Sequence, residues 1–340
     1  MRFKAFAPGR VNLIGEHTDY TGGLVFPMAI DLGTTIVGER TDGEFDLDSE
    51  QEPERFLLSR SPSMLAEIEP RWGRYLAAVA QELPETVGFR GTVSSTVPPG
   101  SGLSSSAALC VATAMALGAG EVHDAIGIAE LAQRAERAAT GVPCGLMDQL
   151  ASAAGVEGHG LMIDCHAKTV APIPIPAEAR ILVVHSGEHR QLEGSDYATR
   201  AAQCSAAEAQ IGPLRTAALS DLSGLEDPVL VARAHHVISE NARVRAFADA
   251  LTAGDLTTAG ELMSASHASL RDQFEVSTDR LNQVVAYAES QPGVFGARLT
   301  GAGFGGCVVV LCAPGSTPVM PGCEHWEVVA SAGAQCIELG

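Results

Sequence analysis

The sequence predicts a mixed architecture, α/β or α+β, in two domains. Three observations carry this. The chain has 340 residues, against roughly 150 for one domain. Its hydrophobic content of 46% suffices for a core and excludes global disorder. Strand-like alternation and helix-like periodicity interleave along it, which excludes a plain helical bundle.

The elements follow in order. Leu24 to Gly38 is apolar and β-branched and reads as a strand. Residues 39–54 hold eight acidic residues alternating with Phe45 and Leu47, which suits a half-exposed strand and turn. In 71–83, Trp72, Leu76, Val79, Ala80 and Leu83 mark one face of a helix. Phe89, Val93 and Val97 alternate in a strand over 88–97. An alanine-rich helix over 107–118 follows the run Pro98-Pro99-Gly100-Ser101-Gly102-Leu103-Ser104-Ser105-Ser106. A second helix spans 125–139, and a Pro143-Cys144-Gly145 turn leads into a short one over 146–154. Leu161–Cys165 is a strand. The spaced prolines Pro172, Pro174 and Pro176 read as a linker, dividing the chain into domains 1–175 and 176–340. A strand at 181–185 precedes helices over 195–211, 228–252, 255–271 and 277–290. The chain closes with strand Arg298–Leu299, glycines in 301–306, strand Cys307–Cys312 and a short strand near Trp326–Ala330. The helices of the first half follow the glycine motifs, and the long ones fill the second.

The charge balance narrows the function. Lys and Arg number 22 against 41 Asp and Glu, a net charge of −19. Duplex DNA and anionic membranes both require a positive surface, so neither is an expected partner. A nucleotide needs only a local site. Met1-Arg2-Phe3-Lys4 runs straight into a glycine-rich motif with no signal pattern, and no window reaches about 18 uncharged apolar residues. The eight cysteines form no CxxC pair and no cluster with zinc spacing. They read as free thiols of a reducing cytoplasm, so the expected location is cytoplasmic.

Four segments carry chemistry. Pro8-Gly9-Arg10-Val11-Asn12-Leu13-Ile14-Gly15-Glu16-His17-Thr18-Asp19-Tyr20-Thr21-Gly22-Gly23 packs Arg10, Glu16, His17, Asp19 and Tyr20 between glycines. Their carboxylates accept hydroxyl protons, and glycine admits a ligand close to the backbone. The plainer reading is a hairpin tip with solvated charges. The run Gly100–Ser106 opens a helix, where amides and the helix dipole suit phosphate. It is neither a Walker A loop nor a dinucleotide fingerprint, and a simple serine cap is the alternative. Leu299-Thr300-Gly301-Ala302-Gly303-Phe304-Gly305-Gly306-Cys307 either shapes a nucleotide pocket or makes a tight β-turn. In Gly141-Val142-Pro143-Cys144-Gly145-Leu146-Met147-Asp148-Gln149, Asp148 is a carboxylate among small and apolar residues, so it caps a helix or does chemistry. Glu136 lies on the preceding helix. His123, His159, His166, His185, His189 and His325 carry no assigned role.

These residues also resemble a known family. GRVNLIGEHTDYTGG resembles the galactokinase signature, with Thr21 where the usual form has Asn. PPGSGLSSSAA resembles the phosphate loop of the GHMP small-molecule kinases, and GVPCGLMDQ and LTGAGFGGC resemble further segments of that family. So do Trp72-Gly73-Arg74-Tyr75, Ser186-Gly187 with Tyr197 and Arg200, Ala234-His235-His236 with Glu240-Asn241, and His267 to Asp272. The likeness runs in family order over essentially the whole chain.

The resemblance implies an α+β, two-domain GHMP kinase fold, with a ribosomal S5 domain 2-like N-terminal domain and a ferredoxin-like C-terminal domain. It implies ATP-dependent phosphorylation of galactose at C1, with Mg²⁺. Asp148 matches the catalytic base. Arg10 matches the arginine that holds the reacting hydroxyl or the γ-phosphate and keeps Asp148 ionised. Glu16, His17, Asp19, Gly145 and Tyr197 match sugar positions. Gly100, Ser101, Gly102, Leu103, Ser104, Ser105 and Ser106 match the ATP loop, with Ser106 and Glu136 as metal ligands. The expected partners are a sugar and ATP, taken by a monomer. Arabinose, N-acetylgalactosamine, mevalonate or homoserine as substrate, or a non-catalytic sugar sensor, are the alternatives. The hydroxyl acceptors of GEHTDY favour a sugar over mevalonate and homoserine.

Overall fold

Strands β1 (Arg2–Ile14) and β2 (Leu24–Thr41) form a long antiparallel pair with register shifts between Pro8 and Arg10 and between Asn12 and Ile14. The structure, a computed structural model, describes residues 2–59, 64–83, 88–98, 100–188 and 195–340. Pro99 and His189 lie outside these. The first sheet continues through β3 (Phe45–Ser49), β4 (Phe56–Leu58) and β5 (Gly88–Ser95), with β5 antiparallel to β2 and parallel to β3. Helices α1 (Gly73–Gln81), α2 (Ser105–Ala116), α3 (Ala125–Thr140) and α4 (Met147–Ala154) pack on it. Phe3, Ile36 and Phe89 of the sheet meet Leu76, Val111, Leu131 and Leu150 of the helices in one core.

β6 (His159–Asp164) pairs with the start of β2 and with β7 (Thr169–Pro174). The proline segment is thus an edge strand and not a linker. The Ile175 amide donates to the Gly158 carbonyl (2.9 Å). Pro172 and Pro174 alternate with the donating positions, so their missing N–H groups fall on the free edge.

The second sheet has the order β11-β8-β10-β9, from β8 (Arg180–His185), β9 (Val294–Thr300), β10 (Cys307–Cys312) and β11 (His325–Val328). Its central strands are apolar from Ile181 to Val184 and throughout Cys307–Cys312, because both faces are buried there. Ile181, Val183, Cys307, Val309 and Leu311 pack towards β1 and β2. Leu182, Val184, Val308, Val310 and Cys312 pack into a third core. Helices α5 (Ser195–Ile211), α6 (Pro228–Thr252), α7 (Leu256–Asp272) and α8 (Asp279–Glu289) complete this half. Helix α6 starts on Asp227, whose side chain accepts from the Val229 amide, with Pro228 next. The last strand, β12 (Gln335–Leu339), returns to pair with β1 in the first sheet. None of the described helices is long and apolar enough to cross a membrane.

Strand β1 itself differs from the sequence reading. The run Pro8–Gly23, whose plainer sequence reading is a hairpin tip, is strand in its first part: β1 runs through Pro8 and Gly9 to Ile14. A side chain at Gly9 would meet the Leu103 carbonyl at 2.6 Å. The glycine is what lets the loop before α2 lie against the strand. The Arg10 amide donates to that same carbonyl (3.1 Å).

Candidate active site

Three chain segments converge above this contact. The end of β1 delivers Arg10 and then the turn 15–23. Gly15 adopts φ +95°, where a Cβ would stand 2.8 Å from Val25 Cα. The Thr18 hydroxyl donates to the Leu24 carbonyl (2.6 Å) and closes the turn. Thr21 is buried and donates to the Thr18 carbonyl (2.8 Å). It is not among the residues lining the cavity, so the departure from the usual Asn sits behind the wall.

The second segment is the start of α2. Its N-cap residue Ser104 sits at φ +62° and makes no side-chain cap. Its hydroxyl donates instead to Asp148. The first amides of α2 therefore keep no capping acceptor, and they open on the cavity lined by Gly100, Gly102, Ser104, Ser105 and Ser106. Ser101 and Leu103 do not line it. The Ser101 hydroxyl donates to the Pro98 carbonyl (2.7 Å), and Leu103 packs into the second core. They shape the loop from behind.

The third segment is the start of α4. Arg10 Nε donates to Asp148 Oδ1 (2.8 Å) and Nη2 to Oδ2 (2.7 Å). Arg10 Nη1 donates to the Gly102 carbonyl (2.7 Å). This bidentate clamp fixes the carboxylate plane. The arginine side chain is only 5% exposed, whereas Asp148 remains 30% exposed towards the cavity. Next to it, the Ser106 hydroxyl donates to Glu136 Oε1 (2.6 Å) and Gln149 Nε2 to Oε2 (2.6 Å). Burial raises the Glu136 carboxyl above its ordinary range despite these bonds, and the Asp148 charge adds to the rise.

Asp19 completes the polar wall. Burial, and then the charge of Asp148, push its carboxyl up to about 7. Gly145 is required beside it, because a Cβ there would stand 1.6 Å from Asp19 Oδ2. A Gly145→Ala variant is expected to displace Asp19 and raise the KM of a ligand held by this wall roughly tenfold, with little change for one held at the start of α2, since small misplacements are costly at a site. Steady-state kinetics with each substrate varied in turn checks this. His17 and Tyr197 lie side by side, ring centroids 5.7 Å apart. Glu16 is buried, its Oε1 accepting from the Gly301 amide (2.6 Å) and, at 3.5 Å, from Arg298.

All of these surround one cavity of about 430 Å³. Arg10, Glu16, His17, Asp19, Gly100, Gly102, Ser104, Ser105, Ser106, Glu136, Gly145, Asp148 and Tyr197 line it. Sequence reasoning did not place Tyr75, Thr140, Val142, Cys144, Met147, Gly301 and Ala302 in the same wall. The glycine cluster was the signal for Gly301 and Ala302. Tyr75, whose hydroxyl burial pushes up to about 12, carried no signal of its own beyond its place in the family-like Trp-Gly-Arg-Tyr run. Among the described residues of this wall, the four carboxylates of Glu16, Asp19, Glu136 and Asp148 face one arginine.

The comparisons agree with the geometry. The galactokinase galactose-binding signature matches residues 2–40, the GHMP kinase N-terminal domain 73–156 and the GHMP kinase C-terminal domain 247–318. The chain is 44% identical to the galactokinase of Chloroflexus aurantiacus, over 91% of this chain and 83% of that one. It is 41% identical to the Homo sapiens galactokinase, over 92% and 84% respectively. The structure of Lactococcus lactis galactokinase complexed with galactose superposes with a TM-score of 0.88 at 30% identity, covering 98% of this chain and 95% of that one. Methanococcus jannaschii mevalonate kinase shares the fold, at TM-score 0.69 and 20% identity over 96% and 98%. The α+β architecture of two sheets with their helices is therefore the two-domain GHMP kinase fold, and the chain belongs to the galactokinase family.

Proposed function

We propose that the protein transfers the γ-phosphoryl group of ATP to the C1 hydroxyl of galactose. The observation that carries this is Asp148, clamped by Arg10 where a wall of hydroxyl acceptors meets the open amides of α2. The sugar lies against Asp19, Gly145 and Tyr197, with Glu16 and His17 forming the wall behind. The phosphates lie along Gly100–Ser106 and the α2 N-terminus. Asp148 holds the reacting hydroxyl and accepts its proton, and Arg10 orients it and offsets its charge. Positioning and charge neutralisation are what phosphoryl transfer demands.

Ser106 and Glu136 fit a magnesium ion. They offer hard oxygens 2.6 Å apart at the phosphate end, and the raised Glu136 carboxyl is short of a neighbouring cation. Bound there, Mg²⁺ supplies neutralisation of the polyphosphate charge. We read the chain as a soluble, monomeric, cytoplasmic enzyme divided near residue 175, with β12 returning to the first half.

The test is ADP release over a panel of galactose, arabinose, N-acetylgalactosamine, mevalonate and homoserine. Galactose should turn over fastest and give an acid-labile, anomeric phosphate. Fastest turnover of mevalonate or homoserine refutes the reading, as does sugar binding without any turnover.

Asp19 adds a pH dependence. With its carboxyl near 7, it loses its acceptor capacity as pH falls below about 7. The sugar KM should then rise by up to about tenfold per unit. Asp19→Asn should abolish that slope. A sugar KM that stays flat from pH 8.5 to 6 contradicts the assignment. In the sugar-free protein the sign reverses. Neutral Asp19 stabilises the fold fully below about pH 4, and this contribution is lost as pH rises through about 7.

A further inference from the structure

The connection between α7 and α8 is tied down from three sides. Arg200 of α5 donates through Nε to the Phe274 carbonyl (2.8 Å) and through Nη2 to the Glu275 carbonyl (2.9 Å). Arg233 of α6, its side chain 4% exposed, donates to the Gln273 carbonyl and to the Glu275 carboxylate (2.5 Å). The Phe304 amide donates to the Val276 carbonyl (2.8 Å). Glu275 is held at φ +55°. Such strain persists only where the surroundings over-determine it.

What these bonds fix is the Phe274 ring. It is fully buried, with its centroid 4.6 Å from the His17 ring and 4.6 Å from the His236 ring. His236 Nε2 lies 3.1 Å from the Glu16 carbonyl and Nδ1 2.8 Å from the Ser269 hydroxyl. A carbonyl only accepts, so Nε2 donates to it. Burial drives the His236 imidazole down to about 4, so it stays neutral and keeps that pattern. His17 follows the same logic. Its Nε2 donates to the Ala302 carbonyl (3.1 Å), and its Nδ1 accepts from the Tyr20 hydroxyl (3.1 Å). His17 itself sits at φ +61°, a costly position for a residue other than glycine. Its nitrogens are engaged with protein, so its ring serves the cavity as a wall whose place is set from behind.

We propose that Phe274 and His236 are positioning residues for the sugar pocket: through the His17 ring packed on Phe274 and the Glu16 peptide they hold the turn 16–19 in the shape that admits the sugar. This rests on the sugar-kinase reading above. Both residues come from the second half of the chain and neither lines the cavity. The sugar side of the site is therefore built by helix α6 and the α7–α8 connection as much as by its own motif.

Phe274→Leu keeps apolar volume and removes the ring faces. His236→Gln keeps a donor for the Glu16 carbonyl and removes the stack. Both variants should raise the sugar KM about tenfold, with the ATP KM and kcat at saturating sugar within about twofold. Equal rises in both KM values, or an unchanged sugar KM in a folded variant, overturn the proposal. A second measurement needs neither substrate nor variant. Imidazole ¹⁵N spectra of the wild-type protein should show His17 as one tautomer protonated on Nε2, and a ring in tautomer exchange overturns the proposal. Wild-type turnover on the sugar panel is measured separately. Its absence counts against the sugar-kinase reading, while the imidazole spectra still decide the positioning.

Discussion

Replacing Asp148 by Asn is expected to lower kcat at least about 10²-fold, the size of a general-base contribution, while both KM values stay within about threefold. The amide has the shape of the carboxylate, so the start of α4 is undisturbed. It fails in two ways. It cannot take the proton of the sugar hydroxyl. It also turns an NH₂ group towards one of the three donors that converge on Asp148 from Arg10 Nε, Arg10 Nη2 and Ser104. A donor facing a donor loses a charge-assisted bond, and the Arg10 guanidinium, 5% exposed, is left without its counter-charge. Because this loss is felt by the reacting hydroxyl more than by the bound ground state, it appears in kcat. Turnover assays with saturating sugar and ATP decide it. Near-normal turnover would sink the base assignment. Ser104→Ala removes one donor and keeps the carboxylate, so it should cost far less than Asp148→Asn.

The residues of this site were legible because their chemistry is local in sequence. Each segment is marked by glycines that the backbone requires, such as Gly15 at φ +95° and Gly102 at φ +73°, flanked by groups that reach the cavity. Strands β8 and β10 were legible because burial on both faces leaves them apolar over Ile181–Val184 and Cys307–Cys312. Other elements hid for identifiable reasons. Pro8 and Gly9 disguise β1, whose irregular register accommodates them. Prolines disguise β7, which uses its edge position to tolerate them. β12 is mostly exposed, and its pairing with β1 is what makes it a strand. Least legible of all was the buried polar layer beneath the sugar turn. Glu240 and Arg243 stand three apart on α6, a spacing that reads as a solvated ion pair. In the structure Glu240 is fully buried.

That layer yields the largest expected effect on stability. Glu240 Oε1 accepts from the Gly15 amide (2.9 Å) and the Ser266 hydroxyl (2.5 Å), and Oε2 from Arg243 Nε (2.6 Å). Arg298, also fully buried, donates to Ser266 and to the Asn12 carbonyl (3.2 and 3.1 Å). Arg243 Nη2 and Arg298 Nη2 are buried without a partner among the described residues. Burial works to raise the Glu240 carboxyl, but the charges of Arg243 and Arg298, joined by His236 where it protonates below about 4, outweigh it and hold it at about 2. Glu240→Gln keeps the shape and an acceptor for Gly15. It removes the charge paired with the part-buried Arg243, takes one of the two carboxylates near the buried Arg298, and turns an NH₂ group towards Arg243. Breaking a buried pair from one side costs about 3–5 kcal/mol, and a displacement from 4.5 to about 2 corresponds to about 3 kcal/mol by linkage. The sign follows from the lowered value. The Glu240 contribution is present above about pH 4.5 and is lost as pH falls through about 2. Denaturant unfolding should therefore show the variant several kcal/mol weaker at pH 7, with the gap narrowing below about pH 4.5. Equal stability at pH 7 would mean that the arginines find their compensation elsewhere. Because the Gly15 amide opens the turn that carries Glu16, His17 and Asp19, the same variant should also raise the sugar KM more than the ATP KM, linking the stability of the layer to the shape of the pocket above it.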